Sequence, residues 1–177
     1  MTYKLLRLIN SAYVGLPQEV GSIKHALMLL GLSTIKRWAS LFVLGGMGKD
    51  KPEELMITSI VRAQFCESLA PMAGLANRGP ELFMMGMLSL IEAFMDRPMA
   101  DILADLPISE DIKAALQGDP NRLRQILDVM VSYERGEWKA FSEASQKLQF
   151  EEKEIPGFYF KAVASAHQIF DQSTDGG

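Results

Sequence analysis

Residues 3–31 read YKLLRLINSAYVGLPQEVGSIKHALMLLG without a gap. Leu5, Leu6 and Ile9 share one face of a 3.6-residue helix. That helix stops at Asn10-Ser11, where Asn tolerates left-handed backbone and Ser can bond nearby backbone groups. A loop carrying Gly15 and Pro17 follows. The Ser22 hydroxyl then caps a second helix, whose apolar residues Ile23, Ala26, Leu27, Leu29 and Leu30 run up to a stop at Gly31. The stretch is therefore helix, loop, helix, and it sets the expectation for the rest of the chain.

The same punctuation continues downstream. A third helix is expected from Ser33 to the Gly45-Gly46 pair. Pro52 suits the first turn of a fourth, with Glu53 and Glu54 complementing its positive end. Its apolar residues run through Leu55, Ile57, Ile60, Val61, Phe65 and Leu69, and it is expected to end near Ala73-Gly74. Residues 80–95, opened by Pro80 and Glu81, read as one further helix. It is apolar nearly all round, so Phe83, Met84, Met87, Leu88, Ile91 and Phe94 are expected at the centre of the fold. Pro98, Ser109 with Glu110 and Asp111, and Asp119-Pro120 open three more helices. Gly118 and Gly136 supply stops, and residues 137–148 and 156–170 complete the set. No segment alternates like a strand between turn signals. The fold class expected is all-α, one compact multi-helix array.

Composition agrees. The chain has 177 residues and 48% apolar side chains, enough for the core of one ordinary domain, and Met (11), Leu and Ala fill apolar positions while aromatics are only 8%. The apolar run 38–47 is far short of the roughly 20 residues a bilayer requires, and Ser40, Gly45 and Gly46 interrupt it. Lys4 and Arg7 break any signal-like apolar start. Cys66 stands alone in a helical apolar stretch, so it reads as a buried structural thiol, and a reducing, cytoplasmic setting is expected. The net charge of −4 is uneven: residues 1–51 carry seven cations against Glu19 and Asp50, leaving −9 for the remainder. Those cations are scattered over three helices, and the pI near 5.3 argues against nucleic acid as the partner.

The start of the chain, with its KLL-R-NS pattern and the helix from Ser22 to Gly31, resembles the HDOD domain, a bacterial signalling module, and the resemblance runs over at least residues 3–105. It implies an HD-superfamily helical scaffold, related to metal-dependent phosphohydrolases, that lacks the metal-binding histidines and aspartates. The segment 131–141, VSYERGEWKAF, resembles the extension found when HDOD follows an EAL domain, a family associated with cyclic di-GMP hydrolysis. The expectation is thus a single domain over residues 1–177, with a core at 3–105 and a helical extension at 106–172. Its N-terminus looks clipped, because the family usually has another helix before the KLL-R-NS pattern.

Residue chemistry supports that expectation. Divalent metal centres need imidazoles and carboxylates converging from rigid elements. The chain has only His25 and His167, and neither precedes an Asp. Residues 83–88, FMMGML, resemble the helix that leads into the superfamily's His-Asp pair, but Ser89 and Leu90 follow here, and the fourth helix has no histidine. Gly45-Gly46-Met47-Gly48-Lys49 lacks the spacing of a phosphate loop. No catalytic residue, metal or cofactor is expected. Glu67, Ser89, Glu92 and Asp96 are the residues that could line a remnant pocket; Lys36, Arg37 and Trp38 are the candidates for contact with a protein partner or an upstream EAL or receiver-type domain. The function expected is noncatalytic signal transduction through protein interaction, and the alternative is a divergent HD-type phosphohydrolase or nucleotide-binding domain.

Overall fold

A computed structural model describes residues 51–104, 106 and 108–174, without the side chains of 168–174. The helices expected within 1–50 lie outside the described residues. So do Asn10, Ser11, His25, Lys36, Arg37, Trp38 and the Gly45-Gly48 run.

The described residues form eight α-helices and no strand. They are α1 (Glu53–Leu69), α2 (Gly79–Leu88), α3 (Ile91–Met95), α4 (Met99–Ala104), α5 (Glu110–Gln117), α6 (Arg122–Glu134), α7 (Trp138–Leu148) and α8 (Ile155–Thr174). The punctuation acts as its chemistry dictates. Asn121 caps α6 by accepting from the Arg124 N–H at 2.7 Å, so this side chain, one residue past the Asp119-Pro120 pair, starts the helix. Gly118, at φ +99°, and Gly136, at φ +67°, take up the left-handed conformation that closes α5 and turns the chain from α6 into α7.

One expectation is corrected. Residues 80–95 do not form a single helix: α2 ends at Leu88, and α3 starts at Ile91. The Ser89 hydroxyl donates to the Gly86 carbonyl at 2.6 Å, taking the acceptor that the next helical N–H would use, and Leu90 swings to φ −115°, ψ 11°. The break also redistributes burial. Leu82, Phe83, Met85, Met87, Ile91 and Phe94 are buried, whereas Met84 and Leu88 are only partly so.

α1 is the central element. α2 crosses one side of it, α8 lies along another, and α6 with α7 completes the surround. Phe65 of α1 meets Tyr133 of α6 and Tyr159 of α8 edge to face, at centroid distances of 5.9 and 5.3 Å. Tyr133 in turn contacts Trp138 and Phe141 of α7 at 5.8 and 5.3 Å. These separations suit the ring quadrupoles, so one aromatic cluster joins four helices.

Candidate functional site

At the crossing of α1 and α2 the two backbones come close together. A Cβ built on Gly86 would stand 2.4 Å from the Arg62 carbonyl oxygen and 2.9 Å from the Ala63 Cα, so only glycine lets the two backbones meet. Buried Ser59 donates to the Met87 carbonyl at 3.0 Å, satisfying one of the acceptors left free at the end of α2. Ser89, just beyond that end, is therefore brought up against α1.

Arg62 fills the space beside this crossing. Its Nε and Nη2 donate to the two Glu134 carboxylate oxygens at 2.8 and 2.6 Å, and Nη1 donates to the Ser89 hydroxyl at 3.2 Å. Arg62 is 8% exposed. A guanidinium in such surroundings requires a charged partner, and the bidentate pairing supplies it. Glu134 closes α6 at the end where the helix dipole disfavours a carboxylate, so Arg62 accounts for its placement there. The adjoining Cys66 thiol is completely buried. Desolvation pushes it up to about 12, outweighing the opposing pull of the Arg62 charge. This agrees with the expected inert thiol.

The remnant-pocket candidates have separate local surroundings. Ser89 belongs to the Arg62 group. Glu92 accepts from the Met99 N–H at 2.5 Å and so caps the start of α4. Asp96, in left-handed backbone at φ 50°, receives the Lys51 ammonium at 2.6 Å. The Glu67 side chain lies over Gly79, where a Cβ would meet its Cγ at 3.6 Å. His167 is exposed on α8. Among the described residues no three His, Cys, Asp or Glu side chains group as metal ligands.

A divalent metal does not fit the Arg62 group. The carboxylate that could ligate it has both oxygens engaged by a guanidinium, Ser89 is a neutral alcohol already donating to Gly86, and the fixed positive charge would repel a second cation. Sequence reading did not find this arrangement, because Arg62 and Glu134 lie 72 residues apart. The one available signal was an arginine inside the apolar run of α1, where an unpaired charge would be costly.

Fold and site thus define an all-helical module whose central crossing is closed by an internal arginine–carboxylate pair. The HDOD domain family model matches residues 1–101, and the chain belongs to that family. Among curated proteins, the uncharacterised YuxH of Bacillus subtilis is 31% identical over 175 residues, which is 97% of this chain and 42% of that protein. The protein CdgJ of Vibrio cholerae, named a cyclic di-GMP phosphodiesterase, is 28% identical over 155 residues, or 88% of this chain and 36% of its own length. The chain therefore spans less than half the length of either relative. No solved structure matches it. Among the described residues, no helix is long and apolar enough to cross a membrane.

Proposed function

We propose that this chain is a noncatalytic interaction module of a cyclic di-GMP-linked signalling protein. The observation that carries the reading is the Arg62 guanidinium bound to both oxygens of Glu134 and to Ser89. A permanent internal cation there leaves the scaffold intact while removing the vacant coordination sites that activation of water requires. Membership of the HDOD family and the similarity to CdgJ support the signalling context. The second reading, hydrolysis by this chain itself, draws on the name of CdgJ, and the Arg62 pairing argues against it.

The partner in this reading is a protein domain, either an EAL-type domain or a receiver upstream in a longer polypeptide. Lys36, Arg37 and Trp38 remain the proposed contact, because residues 1–51 carry net charge of +5 against −9 elsewhere. Such asymmetry steers association with an acidic surface more than it adds affinity. The test is titration of this chain into an EAL domain, followed by calorimetry and by turnover of cyclic di-GMP. The native chain is expected to bind, and Lys36→Glu with Arg37→Glu to weaken binding with unchanged helical signal. Equal affinity of the double variant at low and physiological salt would remove those residues from the contact.

A further inference from the structure

Phe160 is the most exposed large apolar side chain among the described residues, 74% open to solvent in the second turn of α8. Its surroundings form a definite pattern. Glu154, Pro156, Gly157, Lys161 and Ala164 are also exposed, and a Cβ on Gly157 would meet nothing within 4 Å. At 100° per residue Gly157 lies at the middle of this face, with Glu154 and Lys161 on one flank and Pro156 and Phe160 on the other. The charge changes sign along the chain: Glu151, Glu152 and Glu154, with Lys153 among them paired to Glu151 at 3.5 Å, make a net-negative turn just before α8, while Lys161 stands two turns after Glu154.

We infer that this face of α8 docks against the same face of a second copy of the chain, as an antiparallel helix pair about a two-fold axis near Gly157. The inference is independent of the signalling reading. Reversing the helix direction preserves the flank, so Glu154 comes level with the partner's Lys161, and the partner's Glu154 with Lys161. On the other flank Phe160 comes against the partner's Pro156, twice by symmetry. At the axis the two Gly157 residues, having no Cβ, let the backbones approach closely enough to bury both phenyl rings. The surface is self-complementary in charge and shape, the condition for a closed two-fold contact. A parallel pairing would instead bring each flank against the partner's opposite flank, setting Glu154 and Lys161 beside Pro156 and Phe160, so neither charge would meet its counter-ion. The contact covers only about three turns, so the dimer is weak, with dissociation constants on the order of 10–100 μM.

The test is sedimentation velocity on the full 177-residue chain from about 1 to 300 μM, a range set by that expected constant. The native chain is expected to shift reversibly from monomer to dimer. Phe160→Glu and Gly157→Gln should each hold it monomeric at least tenfold higher in concentration. Gly157→Gln is the cleaner probe, since its side chain enters open space and glutamine favours helix over glycine. Glu154→Lys and Lys161→Glu should each weaken the dimer, and the two together should restore it. A native chain that stays monomeric throughout, or a dimer indifferent to Phe160→Glu and Gly157→Gln, would overturn the inference. So would failure of the combined charge swap to recover association.

Discussion

Arg62 and Glu134 are the residues on which the account turns. Removing one member strands the other charge in a poorly hydrated site, whereas removing both leaves a cavity of ordinary apolar chemistry. Arg62→Met is expected to cost about 3 kcal/mol in denaturant unfolding, toward the low end for buried pairs because Glu134 keeps some contact with water. Adding Glu134→Leu should recover much of that loss. Strictly additive losses from the two single variants would mean that the pair is not coupled. Cys66 gives a pH signature from the same region. Its thiol is held up at about 12 against 9.0 in the unfolded chain, so its stabilising effect is complete below pH 9. Between pH 9 and 12 the unfolded state loses the proton first, and stability should fall by up to about 1.4 kcal/mol per pH unit from this group. Tyr159, also pushed upward by burial, acts with the same sign. Cys66→Ala should flatten the slope; an unchanged slope would assign it elsewhere.

At the scale of elements, the α1–α2 crossing depends on one missing Cβ. Gly86→Ala places a methyl carbon against the backbone of Arg62 and Ala63, neither of which can rotate away, so the helices must separate. The expected loss is at least about 1–3 kcal/mol, read from chemical denaturation, despite the better helix propensity of alanine. A change within about 0.5 kcal/mol would show that the crossing is looser than this geometry. Helix starts and stops were legible in the sequence because they rest on local chemistry: Pro80, Gly118 and Gly136 act within a few residues of themselves. The division of residues 80–95 was not, because apolar composition alone does not reveal that the Ser89 hydroxyl captures the Gly86 carbonyl. The Arg62 group was hidden for a stronger reason: its members come from α1, α6 and the break between α2 and α3, which only tertiary packing brings together.

Across the whole molecule, arginines bind the C-terminal helices to the part matched by the family model. Besides Arg62, the Arg78 guanidinium bridges Glu81 at the start of α2 and Asp111 at the start of α5, holding the Asp111 carboxyl down at about 2. Arg122 of α6 donates twice to the Ala73 carbonyl in the turn after α1, at 3.1 and 2.9 Å. The family match ends at residue 101, yet the packing continues through α8, which lies along α1, and the similarity to YuxH also covers 97% of the chain. That continuity places Glu134, from beyond the matched segment, at the centre of the matched segment's own helix crossing. The central proposal is that the internal arginine pair takes the place of the open metal site that hydrolytic chemistry would need, and its most direct test is turnover of cyclic di-GMP by the purified chain with added Mn²⁺. The account predicts no metal-dependent hydrolysis above the protein-free rate, for the native chain and for Arg62→Met alike. Reproducible Mn²⁺-dependent turnover by the native chain, lost on changing Glu67, Glu92 or Asp96, would contradict it.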